Sequence, residues 1–574
     1  MNLSIQTLPL STRRLTSFII YCAPRTQTAR GAPLRNLSCD TRKHPFTELL
    51  PTPPSRGDYT SIRPQEKAII IRSIRTYASL VDSRYNRSRI VWQTVEKYWQ
   101  HVWSWIDFLH RRPNPDSIRV VIAVFDGLAN NAEHPPVRGL LLSEPNAIAI
   151  LVDCWFRLPR QADVLNIKPW MALIPLTQTI SAIYCDVDDE ALDVIVEREL
   201  YRGARGSGRR LFRHIATVIQ VLIDLFVEQE RGALVTVIEL ASALFAEGNN
   251  PYLQPQPMPR SMVRAAVQLV KKDAGSKFEI LAQAACFFLH MTWEEMDLRP
   301  MLWSLKEGLL PHILRMKDPE LREEQPADLL KVIHIGLAHR RVLRMFWKVY
   351  ERDKKDIENA PWKPKQFTEM VKRAERNRET YEELLPTWLG TEGYCHNPEC
   401  PFPLQTLYQC PCKTSYYCSM ECQRADWDIH KDDCHMWQWY KFEETEHPRP
   451  SPLFNQRDME YIQAISREYI DALDDVTEKA EEVEPGLNRT VRLAVSWCHG
   501  EPSHHMLKTT IPKRKTVILT AAVMMGQELV LVTLPTLTIR LRDEGDPSDS
   551  EAWSDAMWYD DVEDDEESMS GEGA

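Results

Sequence analysis

Residues 395–434 read CHNPECPFPLQTLYQCPCKTSYYCSMECQRADWDIHKDDC. Seven cysteines and His430 recur there as Cys395-x4-Cys400-x9-Cys410-x-Cys412-x5-Cys418-x3-Cys422-x7-His430-x3-Cys434. Eight thiolate or imidazole donors are enough for two closed tetrahedral zinc sites. The other six of the 13 cysteines (Cys22, Cys39, Cys154, Cys185, Cys286 and Cys498) are scattered, and no secretory signal is read ahead of them. The spacing is therefore read as metal ligation in a reducing compartment rather than as a disulfide framework.

Within this stretch, the run Tyr417-Cys418-Ser419-Met420-Glu421-Cys422-Gln423-Arg424-Ala425-Asp426-Trp427-Asp428-Ile429-His430-Lys431-Asp432-Asp433-Cys434 resembles the MYND-type zinc finger. Two gaps depart from the family pattern of two intervening residues: Cys395 and Cys400 stand four residues apart, and Cys410 and Cys412 only one. The resemblance implies interleaved ligation. Cys395, Cys400, Cys418 and Cys422 are then expected on one ion, and Cys410, Cys412, His430 and Cys434 on the other. Spacing supports part of this, because Cys418 with Cys422 and His430 with Cys434 are i,i+4 pairs that share a face if 419–434 is helical. His396 and His435 adjoin the ligands and are read as neighbours that could stand in for one. Two zincs with four protein ligands each have no open position, so they are expected to be structural, and the small module is expected to fold only with metal bound.

The same resemblance implies a groove for proline-containing peptides, with Gln423 and Trp427 as the matching contacts. An exposed Trp offers a flat apolar platform to proline rings, and a Gln can donate and accept to a peptide backbone. The competing reading is that Trp427 caps a very small core. Between Cys395 and Cys434 there are three basic residues (Lys413, Arg424, Lys431) and six acidic ones (Glu399, Glu421, Asp426, Asp428, Asp432, Asp433). That balance repels phosphate, so a protein or peptide partner is expected and direct nucleic-acid contact is not.

The rest of the 574-residue chain has room for more than one domain. Scarce Gly (20 residues) beside abundant Leu, Ala and Arg favours helices. From about residue 60 to 390, apolar residues recur at helical spacing: Trp99, Val102, Trp103, Ile106 and Leu109; Leu211, Ile215, Val218, Leu222, Leu225 and Phe226; Leu281, Ala285, Phe288 and Leu289. Breaks are expected at Arg111 to Pro115, Pro135-Pro136, Gly203 to Gly208, Gly248 to Pro251 and Pro311. The fold class expected is mainly α, an irregular armadillo- or HEAT-like helical scaffold with a regular solenoid and an irregular bundle both open. Trp92, Trp99, Trp103 and Trp105 are read as core, and His214, His290, His312 and His334 as ordinary core or surface histidines.

The expected order is a disordered basic segment at 1–58, the helical scaffold at 59–390, the finger at 391–436, a helix with a small β region at 437–542 and a disordered acidic tail at 543–574. The first 39 residues hold no Asp or Glu but five arginines, a profile shared by mitochondrial presequences and by plain basic tails. After the finger, Tyr461, Ile462, Ile465, Tyr469, Ile470 and Leu473 mark one more helix face, expected to pack on the zinc module or the scaffold. Alternation at Val491, Leu493 and Val495, with β-branched runs at 516–520 and 528–540, predicts a sheet of about three strands. The nearly uncharged stretch 516–539 is long enough to span a bilayer, but Gln527-Glu528 and Pro535 argue for strands. Cys498, His499, His504 and His505 form a second candidate metal cluster, although their spacing fits no closed zinc pattern and 500–503 reads as a turn. The final 32 residues carry 14 acids and no Lys or Arg, so removing them changes the formal charge from −11 to +3.

An interaction adaptor inside the cell, in cytoplasm or nucleus with a mitochondrial address as the other option, is the reading these residues favour. A transcriptional regulator that recruits corepressors is second. A SET-type lysine methyltransferase, a class that joins this finger to a catalytic domain, is poorly matched: the chain has no Asn-His dipeptide, and Gly526-Gln527-Glu528-Leu529 stands alone. The Gly-rich loop at 203–208 lacks the Gly-Lys-Ser/Thr of a phosphate cradle, and no Gly-x-Ser-x-Gly or His-Glu-x-x-His occurs. No enzymatic activity is expected.

Overall fold

In the computed structural model, the described residues run from 62 to 540 with interruptions, the longest being 431–455, 474–488 and 247–257; apart from Pro53, residues 1–61 and 541–574 lie outside them. Leu225, Phe226 and the expected break at Gly248 to Pro251 also lie outside. The chain is mainly helical. It opens with α1 (Pro64–Val81), α2 (Arg89–His110), α3 (Pro115–Ala129), α4 (Pro135–Ser143), α5 (Ala147–Gln161) and α6 (Pro169–Cys185). It continues through α7 (Glu190–Gly203), α8 (Gly208–Asp224), α9 (Arg231–Ala246), α10 (Arg260–Asp273), α11 (Ile280–Trp293) and α12 (Arg299–Lys306). The scaffold closes with α13 (Leu310–Ile313), α14 (Gln325–Gly336), α15 (Arg340–Arg352), α16 (Lys354–Glu358) and the long α17 (Lys365–Glu392).

Sequence pattern decides which helices lie inside. The helices α6, α9 and α11 are apolar nearly all round, as in PWMALIPLTQTISAIYC for α6, and a helix without a polar face must be covered on every side. A row α3–α6–α9–α11–α14–α17 forms in which each helix packs on the next. One-sided helices such as α8 and α15 flank it and bury a single stripe, Leu211, Phe212, Ile215, Val218, Ile219 and Leu222 in α8. The helices of the row range from 12 to 28 residues, and no fixed sequence period is seen. The four tryptophans Trp92, Trp99, Trp103 and Trp105 are all buried core.

Close approach is built in at Gly127 on α3, where a Cβ atom would stand 3.0 Å from the Ala78 carbonyl oxygen of α1. Asn131 then ties the ends of both helices, its side-chain amide donating to the Val81 carbonyl at 2.6 Å and to that of Gly127 at 3.1 Å. Two expected breaks are helix starts instead. Pro135 opens α4 and Pro311 lies in the first turn of α13, because a first-turn residue has no intrahelical use for the N–H that proline lacks. The other two observable breaks separate helices: α2 from α3 at 111–115, and α7 from α8 at 203–208.

Beyond the finger, α19 (Gln456–Asp471) lies against α17, and four strands follow: β3 (Arg489–His499), β4 (Glu501–Pro512), β5 (Thr516–Met525) and β6 (Glu528–Arg540). The sheet order is β4-β3-β5-β6, with β3 and β5 parallel in the middle and both hairpins antiparallel. This is one strand more than the alternation suggested, because β4 reads as polar and its pairing with β3 only becomes visible in the register Val495↔His504. The apolar stretch 516–539 becomes the β5–β6 hairpin, and among the described residues no helix is long and apolar enough to cross a membrane.

Leu493, Val495 and Trp497 point to one face of β3 and join the same continuous core as the scaffold helices. Trp497 is the centre of that junction. Its indole N–H donates to Ser466 Oγ at 3.0 Å, its ring lies 6.2 Å from that of Tyr469, and the Arg373 guanidinium stands 4.8 Å above it. The helix after the finger thus packs on the scaffold and the sheet.

Candidate zinc finger and its exposed face

The finger begins where α17 ends. A two-stranded ladder, β1 (Tyr408–Gln409) with β2 (Tyr416–Tyr417), pairs Tyr408 with Tyr417 and brings the chain back before α18 (Met420–Ala425). Ser419 is extended and caps α18, its hydroxyl accepting from the Cys422 N–H at 3.2 Å. Glu421 stands in the first turn, the end of a helix that favours an acid.

Cap and ladder together gather four sulfurs. Sγ atoms of Cys395, Cys400, Cys418 and Cys422 all lie within 4.8 Å of one another, with Cys400–Cys418 and Cys418–Cys422 both at 3.4 Å. A tetrahedral zinc with Zn–S bonds near 2.3 Å needs sulfurs roughly 3.8 Å apart. The donor chemistry and the spacing both fit that ion. The wide Cys395-x4-Cys400 gap is absorbed by a turn in which the Cys400 N–H donates to the Asn397 carbonyl at 3.0 Å. Asn397 is buried and its side chain, with Cys418, draws the Cys422 thiol down to about 7, while hydrogen bonds from Cys400 and Cys422 push Cys418 up to about 12.

The expected continuous helix from 419 to 434 is not what forms. Cys418 precedes the Ser419 cap, and α18 ends at Ala425, with Asp426 outside it and helix resuming at Trp427. The pair Cys418/Cys422 therefore meets across a helix cap, where the extended Ser419 turns the preceding residue back over the first turn.

Of the second expected ligand set, His430 is described and buried, while Cys410, Cys412 and Cys434 lie outside the described residues, as do His396 and His435. Ser415 Oγ lies 3.1 Å from His430 Nδ1. A hydrogen bond on one ring nitrogen is what orients the other toward a metal, so Nε2 is the atom that the arrangement offers as ligand. Between the four-cysteine cluster and His430 sits a small core that the sequence did not single out. Tyr417 is fully buried, donates its hydroxyl to Asp426 Oδ2 at 2.6 Å and packs edge-on against His430 with ring centroids 5.8 Å apart.

Trp427 is 40% exposed and its ring lies 6.1 Å from His430. Gln423 is half-buried. Met420, at 62% exposed, is the other large apolar side chain that stands in solvent among the described residues of the finger. Met420 and Gln423 stand one turn apart on α18, and Trp427 lies just beyond its end.

Of the second candidate cluster, the side chain of His499 lies outside the described residues, and Cys498, His504 and His505 form no metal-holding group among those that are described. His499 already pairs with Glu501, and 501–505 are strand rather than turn. Neighbouring strand residues point to opposite faces, so His504 meets Tyr469 (Nδ1 to hydroxyl, 3.1 Å) while His505 is exposed. Among the described residues the four-cysteine cluster is the one group placed to hold a metal. The scaffold histidines are packed or paired: His214 stacks on Phe156 at 4.3 Å, and His290 lies 3.7 Å from Glu294.

Residues 394–434 match the family model of the MYND finger. No curated protein matches the chain, and no solved structure does. The chain therefore carries a MYND finger at residues 394–434, a module type that binds zinc and mediates protein–protein interaction.

Proposed function

We propose that this MYND-type zinc finger protein is an intracellular adaptor whose finger docks proline-containing peptides on the Met420–Gln423–Trp427 face. The observation that supports the reading is the exposure of Met420 and Trp427 on a module this small, since a finger with few apolar residues gains by burying both. Proline rings of an extended peptide lie flat on the Trp427 indole, and Gln423 supplies a donor and an acceptor to the peptide backbone.

On this reading the two zincs are structural. Cys395, Cys400, Cys418 and Cys422 saturate one, Cys410, Cys412, His430 and Cys434 the other, and neither has a position left for water or substrate. No catalysis then takes place at the zincs, and the protein is read as acting by binding. Its acidic finger contacts protein rather than nucleic acid. A transcriptional regulator that recruits corepressors through the same face remains the second reading, and the tagged full chain separates the two: nuclear accumulation favours the regulator, cytoplasmic retention the adaptor. The test of the docking face is capture from a library of proline-containing peptides by the full chain. Capture lost in Trp427→Ala with zinc content unchanged supports it, and capture retained overturns it.

A further inference from the structure

The turn between α7 and α8 reads YRGARGSGRRLFR over residues 201–213, five arginines and no acid. Its shape is fixed from both sides. Gly203 ends α7 against Phe156, where a Cβ atom would stand 2.6 Å from the ring, and Arg205 (φ 55°) and Gly206 (φ 71°) both take the left-handed conformation that reverses the chain. The apolar stripe of α8 is buried, so Arg209, Arg210 and Arg213 are turned outward, and Arg202 and Arg205 are exposed with them.

Arg202 is paired with Glu199 at 2.5 Å. Among the described residues, Arg205, Arg209, Arg210 and Arg213 have no carboxylate partner. No acid stands in the first turn of α8, so the cations meet the positive end of the helix as well as one another. Like charges at this spacing work against the fold. They are a surface that an anionic partner would relieve.

The chain itself carries the complement. Residues 543–574 hold 14 acids and no Lys or Arg, with Trp553, Trp558 and Tyr559 among them, rings on which guanidinium groups stack. Thirty-two residues reach up to about 100 Å when extended, and they begin just beyond Arg540, the end of β6, with Leu541 and Arg542 between. We propose that the acidic segment 543–574 docks on the arginine patch of its own α7–α8 turn. Tethering makes the association intramolecular, and the formal charge of −11 disfavours a free polyanion competing for four cations. The docked segment is an electrostatic latch: salt loosens it, and a partner of higher charge density displaces it.

The test uses the full chain with a benzophenone amino acid in place of Trp553, irradiated at dilute concentration and mapped by mass spectrometry. Intramolecular cross-links to residues 201–213 are expected, falling about tenfold in R205Q/R209Q/R210Q/R213Q and again in wild type at 1 M salt. The four side chains are exposed, so the variant should keep the wild-type thermal midpoint; if it does not fold, the salt titration of the wild type decides. Cross-links confined to other regions, or undiminished by the substitutions or by salt, overturn the proposal. So does binding of a labelled oligouridine that needs the four arginines and leaves the Trp553 cross-link unchanged, which would make the patch a nucleic-acid surface.

Discussion

Arg340 Nε donates to Asp458 Oδ1 at 3.1 Å, a pair 118 positions apart in sequence with the whole finger between them. Both side chains are about nine-tenths buried (10% and 9% exposed). Beside it, the Tyr461 hydroxyl and the Asn377 amide both donate to the Leu337 carbonyl, at 3.1 and 3.3 Å. The helix after the finger is thereby fastened to the scaffold that precedes it.

Removing one partner of that pair takes a close counter-charge from the other, which is buried. Asp458→Ala should destabilise the chain by about 3 kcal/mol, read as a lower urea midpoint, whereas Arg340→Met with Asp458→Leu should recover most of the loss. Equal destabilisation by the single and double variants would show that the pair is not coupled.

Native mass spectrometry of the full chain should find two zincs. Cys422→Ser should leave one, because it removes a ligand from one set and none from the other. A wild-type count of one would refute the second ligand set.

Tyr417 and Asp426 tie β2 to the residue that follows α18. Tyr417→Phe removes the 2.6 Å hydrogen bond and leaves the Asp426 carboxylate buried without that donor, a loss of about 1–3 kcal/mol. Zinc retention against a chelator should fall accordingly, while the conservative swap keeps the ring packing on His430.

Asp273 is fully buried and accepts from the N–H groups of Leu281 and Ala282 and from Ser276, while Arg231 lies 3.2 Å away. It caps α11 from the end of α10. Asp273→Ala should cost roughly 2–4 kcal/mol, since it strips the start of a core helix of its cap and leaves Arg231 unpaired. A thermal midpoint unchanged in the variant would refute this role.

Burial lowers both His312 and His334 to about 4, with Arg315 and Lys271 adding to the effect at the first and Arg373 at the second. Both are neutral in the folded state at neutral pH and take up protons more readily when unfolded. Their contribution is therefore present above the unfolded value of 6.5 and is lost as pH falls from there toward 4. Each should add up to about 1.4 kcal/mol per pH unit to the loss in that window. His334→Gln should flatten the pH dependence of the urea midpoint between pH 6.5 and 5, and an unaltered slope would exclude His334 as a source.

Sequence alone determined the helical class, the finger and its candidate ligands, because these depend on short-range spacing. An α11 that is apolar nearly all round must be interior, and eight donors at metal-ligand intervals point to zinc whatever surrounds them. Trp99, Trp103 and Trp105 were legible as core for the same reason. Only the tertiary structure decided what depends on distant partners. The fourth strand, β4, is polar and becomes a strand only by pairing with β3; the neighbouring histidines 504 and 505 are separated by the pleat; and Ser419 ends the continuity expected of the ligand helix by capping α18. The attachment of the post-finger helix through Arg340 and Asp458 was equally hidden, since a buried ion pair across 118 residues leaves no periodic trace in either segment.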